Sequence, residues 1–344
     1  MSDPGVPTRT PNRKRTIITA IFGLIVMVLV FAFLFPQFAN YQQAFDQLER
    51  LNWWWVAALV AASALNIWIY PWTAKAALPE LNYGPAFINR QVGFLISNVV
   101  PGGGAVAVGT QYTILSRYRI APGPAAAAVS ADAVWTYLMT LATPSLAVVL
   151  LIIEGRSTAG FLTIAILGLI AVAVSITVIA IAMRSVEGAQ QVGRILQRIV
   201  SWFYSLVKKT APNIEAMVLN FYQHASTMVQ QRWKQLTLTN IAAQLGPFIV
   251  LLVAVIALNG LATELTVIEV FAAYSIAILL VSFPITPGGL GTVDAALVAL
   301  LVAFGLDSAT AVAVDLIWRL VWFLPQLLVG LGCLGWFSLQ RRRS

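Results

Sequence analysis

Six stretches of this chain, residues 17–35, 53–72, 125–153, 161–183, 236–258 and 309–337, run almost free of charge. Each reaches about the 20 residues that a helix needs to cross roughly 30 Å of hydrocarbon. The chain is 59% apolar and 10% charged, against roughly 25% charged in soluble domains, so its solvent is a bilayer. The expected fold class is all-α, a polytopic membrane protein with six full spans. The first run follows Arg9, Arg13, Lys14 and Arg15, as a signal peptide would. It exceeds the usual apolar core of about 7 to 15 residues and lacks a small-residue cleavage site, so it reads as a retained helix.

Charge position fixes the expected orientation. With the amino terminus cytoplasmic, Lys75, Arg90, Arg117, Arg119, Arg184, Arg194, Arg198, Lys208, Lys209, Arg232, Lys234 and Arg341 to Arg343 fall inside, and only Arg50 and Arg156 outside. That asymmetry follows the positive-inside rule and puts both termini in the cytoplasm of a cell-membrane protein. A basic inner face suits the anionic lipids of the cytoplasmic leaflet rather than nucleic acid.

Two further apolar segments are interrupted. Residues 87–100 lead into Pro101-Gly102-Gly103-Gly104 and continue over 105–115; residues 270–283 lead into Pro287-Gly288-Gly289-Leu290-Gly291 and continue over 293–304. Proline removes a backbone donor and glycine admits positive φ, so neither segment continues as one helix. The arm after each break is short for a crossing, and two re-entrant helical hairpins are expected. The order Pro-Gly-Gly, Asp-x-x-Trp, Pro occurs twice, as Pro101, Asp132, Trp135, Pro144 and as Pro287, Asp315, Trp318, Pro325, at closely similar offsets. Each half is then span, span, hairpin, span. An odd number of spans per half makes the repeat inverted, as in many secondary transporters.

The chain divides accordingly into a basic N-terminus (1–16), a first membrane repeat (17–183), a linker (184–235), a second membrane repeat (236–338) and a basic tail (339–344). In the linker, Val192, Ile195, Leu196, Ile199, Trp202 and Phe203 recur at helical spacing, with Arg194, Arg198 and Lys208 on another face. That pattern fits a helix lying on an anionic leaflet, or one packed on the bundle. A second helix is expected from Pro212. Trp53, Trp54 and Trp55 read as an interfacial aromatic anchor.

With Cys333 the only cysteine and His224 the only histidine, no disulfide framework, zinc site or Cys/His nucleophile pair is expected. No G-x-x-x-x-G-K-[ST] loop is present to cradle a nucleotide. Neither a cofactor nor a catalytic metal is expected.

The second break, Phe283-Pro284-Ile285-Thr286-Pro287-Gly288-Gly289-Leu290-Gly291-Thr292-Val293-Asp294-Ala295-Ala296, resembles the signature of the flippase-like membrane domain family. That family includes the membrane domain of lysylphosphatidylglycerol synthase, the multiple peptide resistance factor. Asn98-Val99-Val100-Pro101-Gly102-Gly103-Gly104 and Trp318-Arg319 extend the likeness over most of residues 17–337. The resemblance implies movement of a lipid between leaflets: an aminoacylated phospholipid or, in other relatives, a polyprenyl-phosphate-linked sugar. Two departures stand out: Asp294 occupies a position that is often glutamate, and beyond the first break the usual basic residue is absent, leaving only Gln111. After the last run only a few residues follow, so the soluble aminoacyl-transferase domain of the synthase, and with it enzymatic activity, is not expected.

Charges within spans mark the candidate site, because each costs about 2.5 to 3.5 kcal/mol at the bilayer centre even on lenient scales. They are Asp132, Asp294, Asp315 and Arg319. Asp315 and Arg319 stand four apart on one helix face and are expected either to neutralise one another or to share a lipid phosphate; Asp132 is an alternative partner for Arg319 across the two halves. The breaks free backbone groups that suit an anion, best at Gly104 and Gly291, with Gly102, Gly103, Gly288 and Gly289 beside them. Arg90 is placed to draw in headgroups or to snorkel. Asn66, Asn98 and Gln244 either line a cavity or bond between helices. A lipid flippase is the leading function, with an ion-coupled small-solute permease or a non-transporting partner of an envelope-synthesis complex as alternatives, and a homo-oligomer conceivable. Asp132, Asp294 and Asp315 have no nucleophile or cofactor motif beside them, which ranks an enzyme last.

Overall fold

The structure, a computed structural model, describes residues 51–100, 103–155, 159–206, 210–260, 265–282 and 286–340, and among them every regular element is helical. Helix α1 (Trp53–Ile69) starts at Asn52, whose side chain accepts the Trp54 N–H, and stops at Pro71, from which the short α2 (Trp72–Ala77) resumes. Helices α3 (Tyr83–Val99) and α4 (Gly103–Arg117) flank the first break. Helix α5 (Pro122–Ile153) begins on a proline, whose missing donor is harmless in a first turn. Helices α6 (Ala159–Arg184) and α7 (Val186–Leu206) follow. Helix α8 (Ile214–Asn259) is capped by Asn213 and ends at Gly260, where φ is 81°. The second break separates α9 (Val267–Leu279), opened by a Thr266/Glu269 capping box, from α10 (Thr292–Ala303). The chain closes with α11 (Ser308–Trp318), capped by Asp307, and α12 (Leu324–Gln340), joined by a π-helical turn at Arg319–Phe323.

Four of the expected spans are helices long and apolar enough to cross a membrane: Trp53–Ala77, Pro122–Ile153, Ile214–Asn259 and Ser308–Gln340. A fifth coincides with α6, whose Gly168–Arg184 part is a shorter apolar helix. The run at 17–35 lies outside the described residues, as do the basic N-terminus and Gly102. Each broken element has two packed arms: α3 lies on α4, and α9 on α10. The arms have 17, 15, 13 and 12 residues, so none exceeds about 26 Å.

Small residues let these helices approach. A Cβ on Gly330 would sit 2.6 Å from the Gln91 carbonyl and 2.9 Å from the Leu95 Cβ, so the absent side chain is what brings α12 against α3. Gly93 likewise abuts Gln111, and Gly246 abuts Asn66. Polar side chains then tie the bundle. Along α5 and α8, Trp135 donates to Thr237 (3.0 Å), Thr136 to Asn240 (3.1 Å) and Gln244 to Thr140 (2.7 Å), a ladder at helical spacing. Asn66 donates to Gln326 at 3.1 Å. Asn66 and Gln244 are thus inter-helix links.

The π turn has a local cause. Pro325 cannot donate to the Val321 carbonyl four residues back, and Ser63 of α1 donates to that carbonyl instead, at 2.6 Å. The next donor, Leu324 N–H, reaches the Arg319 carbonyl five residues back. This kink lies at Arg319, the basic residue of a last span that also carries Asp315.

In the linker, α7 buries Ala189, Val192 and Gly193 against the rest of the chain and leaves Ile195, Ile199, Trp202 and Phe203 exposed beside the exposed Arg194 and Arg198.

Gly330→Leu is expected to force α12 off α3 and to lower stability by about 1–3 kcal/mol, the usual effect of overpacking. Gly332→Leu, where a Cβ meets nothing within 4 Å, is expected to be tolerated. Thermal unfolding of the two purified variants in detergent checks the contrast.

Candidate functional site

The first charged centre is built from three consecutive polar residues in an apolar arm, Asn89-Arg90-Gln91, all buried in α3. Arg90 does not snorkel. Its Nη1 donates to Asp132 Oδ2 of α5, and its guanidinium lies over the Tyr70 ring, 4.2 Å from the centroid. Asp132 sits ten residues into α5, about 15 Å along that 32-residue helix. The pair is incompletely satisfied: Arg90 Nε, Asp132 Oδ1, Asn89 Oδ1 and Gln91 Oε1 are buried without a hydrogen-bond partner. A narrow cleft, with room at its centre for about one water molecule, opens beside them, with Asn89, Arg90, Asp132 and Gln111 of α4 as its polar wall and Leu78, Leu115 and Val129 among its apolar one. Unmet polar atoms facing a cleft are where water or a polar ligand binds.

The second centre lies at the second break. Arg319 pairs with Asp294 of α10, neither with Asp315 nor with Asp132. The fork is bidentate, Nε to Oδ1 at 2.5 Å and Nη2 to Oδ2 at 3.1 Å. Geometry explains the choice. Asp294 is the N3 residue of α10, and its Oδ2 already accepts the Gly291 N–H at 2.6 Å, so its carboxylate is held at the helix mouth facing the last span. Arg319 also reaches the Gly288 and Gly289 carbonyls, each at 3.4 Å, and is hemmed by the Trp318, Trp322 and Phe323 rings at 5.1 to 5.9 Å. Its exposure is 1%.

Thus the break's freed groups are already occupied. Gly288, Gly289 and Gly291 adopt φ of 63°, 67° and 81°, a region costly for any residue with a Cβ, and their carbonyls and N–H go to Arg319 and Asp294. A carboxylate of the chain itself sits where a substrate anion was expected. Asp315 is buried completely, and neither oxygen receives a donor. What faces it is the Asp294 carboxyl, with Arg319 also in electrostatic range.

The two breaks approach each other: a Cβ on Gly288 would lie 3.5 Å from the Asn98 carbonyl, and the second break packs on α3. The Asn98 side chain turns back to the Phe94 carbonyl at 2.8 Å. Gly103 packs against the Ile96 carbonyl, whereas Gly104 is exposed with nothing near it. The structure therefore divides the candidate residues into Arg90, Asp132 and Gln111 around one cleft, and Arg319, Asp294, Asp315, Gly288, Gly289 and Gly291 in one sealed cluster. Sequence reasoning missed Tyr70, Asn89, Gln91, Ser63 and Gln326. The run Asn89-Arg90-Gln91, three polar residues inside an apolar helix, was the available signal for the first centre.

The profile described as "Lysylphosphatidylglycerol synthase TM region" matches residues 20–330. The chain belongs to that family. Both charged pairs and both breaks lie inside the matched region of this lysylphosphatidylglycerol synthase TM-region protein, so the match and the polar centres concern the same part of the molecule. No curated protein matches the chain. Among the described residues no cluster of His, Cys, Asp and Glu is suited to hold a metal.

Asp132→Asn is expected to leave a buried guanidinium uncompensated and to lower stability by about 3–5 kcal/mol. The double substitution Arg90→Met with Asp132→Leu is expected to recover most of that loss. Denaturant or thermal unfolding of the three proteins in one detergent measures the difference.

Proposed function

We propose that this membrane protein moves an anionic or aminoacylated phospholipid, or a polyprenyl-phosphate-linked lipid, between leaflets. The observation that carries the reading is the cleft at Arg90. It combines an unfilled donor, Arg90 Nε, with unfilled acceptors, Asn89 Oδ1 and Asp132 Oδ1, beside an already neutralised ion pair. A phosphate needs the first and the hydroxyls or ammonium of a headgroup need the others, so the wall is complementary to a headgroup bearing both. Because Asp132 already balances Arg90, a headgroup is received without forcing an unpaired charge into the membrane.

In this reading the two halves form an inverted repeat with two re-entrant hairpins, the headgroup crosses at the meeting point of the breaks, and the tails remain in the bilayer. The Arg319–Asp294 centre is the closed counterpart of the Arg90–Asp132 centre. Both termini are cytoplasmic, and α7 lies on the anionic inner leaflet, with Ile195, Ile199, Trp202 and Phe203 in the acyl boundary and Arg194 and Arg198 among headgroups. The protein acts as a transporter and not as an enzyme.

One observation favours a second reading. The cleft is little wider at its centre than a water molecule, which suits a small-solute permease. Tails separate the two. In vesicles of phosphatidylcholine doped with fluorescent phosphatidylglycerol, the purified protein is expected to expose the inner-leaflet label to an external quencher. Arg90→Ala and Arg319→Ala are expected to slow this at least about tenfold, the consequence of losing about 1.4 kcal/mol or more from the rate-limiting state. Unchanged rates in both variants, with normal insertion, discard the lipid reading.

A further inference from the structure

The cluster at the second break holds two carboxyl groups and one guanidinium. Fully ionised, it carries a net negative charge among residues that water does not reach: Asp315 has no exposed surface, Arg319 is 1% exposed and Asp294 4%. Every partner is assigned. Asp294 takes both prongs of Arg319 and the Gly291 N–H, and Arg319 Nη1 and Nη2 also donate to the Gly288 and Gly289 carbonyls. Nothing donates to Asp315. An ionised carboxylate without a donor in such surroundings is among the costliest groups a protein can bury. The Asp294 carboxyl faces it, and two carboxyls can hydrogen-bond to each other only when one of them carries a proton.

Among the described residues, no other titratable side chain competes for the role. Of the elements packed on α11, the adjoining part of α8, from Pro247 to Leu258, has none; α10 contributes only Asp294, and the π turn only Arg319. Tyr274 of α9, whose ring meets Trp318, spends its hydroxyl on the Gln244 carbonyl at 2.9 Å.

We infer that Asp315 and Asp294 form a proton-binding site holding one proton between them, chiefly on Asp315, and that this proton keeps the Arg319–Asp294 pair closed. Loss of the proton to water adds a negative charge to the cluster. Asp315 then competes for Arg319, which follows it by four residues and shares its helix face. As Arg319 turns, the Gly288 carbonyl loses its donor and the Gly289 carbonyl keeps only the Thr292 hydroxyl, which loosens the second break. The cluster is thereby a two-state element set by one proton. Proton binding stands on the complete burial of Asp315 and its lack of any donor; its use in moving a lipid rests on the function proposed above.

Infrared difference spectroscopy of the purified full chain in lipid nanodiscs, stepped through pH, tests the site directly. A deuterium-sensitive C=O band of a protonated carboxyl is expected in the wild type, absent in Asp315→Asn and displaced in frequency in Asp315→Glu. Asp294→Asn is also expected to remove it, since one carboxylate then balances one guanidinium. The glutamate variant keeps the charge and decides the matter if the asparagine variant fails to fold. Absence of the band in the wild type, or its persistence unshifted in Asp315→Asn and Asp315→Glu, overturns the inference. In the phosphatidylglycerol vesicles, an imposed pH gradient is expected to change the wild-type rate and not that of Asp315→Asn. A carboxyl band without any lipid movement refutes the transport reading and leaves the proton site standing; lipid movement without a band does the reverse.

Discussion

Everything in this fold is arranged around the difficulty of holding a guanidinium in hydrocarbon. A single arginine at mid-membrane is tolerated only when a carboxylate meets it and its remaining donors find oxygen. The chain solves this twice and differently. Arg90 has one carboxylate, an aromatic face and a cleft; Arg319 has a bidentate carboxylate, two carbonyls and three aromatic rings. The first arrangement leaves polar atoms unmet and the second leaves none on the arginine. One centre is therefore partly unsatisfied beside a cleft, and the other is satisfied and sealed.

The broken helices serve those arginines. A continuous helix keeps its carbonyls for itself, so only an interrupted one can lend them to a side chain. At Gly288 and Gly289 the positive φ values turn two carbonyls toward Arg319, and at Gly291 the same conformation presents an N–H to Asp294. Pro325 has the complementary role in the last span. By cancelling one helical bond it introduces the π turn that begins at Arg319, and Ser63 takes up the carbonyl set free. Proline, glycine and charge are thus parts of one construction.

This explains which parts were legible in the sequence. Span positions, helix starts and the two interruptions follow from local rules, since about 20 apolar residues, a capping asparagine or a Pro-Gly-Gly each act on their own neighbourhood. Helix α7 and a helix start near Pro212 were foreseen for the same reason, but the boundary expected at 235 was not found, because α8 continues unbroken from Ile214 to Asn259. The pairing of charges was not, because it depends on which helices become neighbours. Asp315 and Arg319, four apart, satisfy the helical pairing rule and were expected to meet. Asp294 prevails because its cap position fixes its carboxylate before any partner is chosen, whereas a mid-helix aspartate must orient itself. Arg90 with Asp132 joins residues 42 positions apart, and no local rule reaches that far.

Asp315 is the residue for which this history matters most. Like Asp132 it stands three residues before a tryptophan, yet Asp132 has an arginine while the arginine nearest Asp315 in sequence pairs with Asp294. A buried acid that receives no hydrogen-bond donor imposes a cost that a hydrophobic residue of similar size would avoid. Its stabilising value to the fold is therefore negative, and the cluster becomes intelligible only if a second arrangement exists in which Asp315 holds Arg319 instead. The two arrangements use the same atoms and differ by one proton and one rotation of a side chain. In the lipid-moving role proposed above, which requires a polar route open to one side at a time, a guanidinium shared by two acids would supply the element with two states.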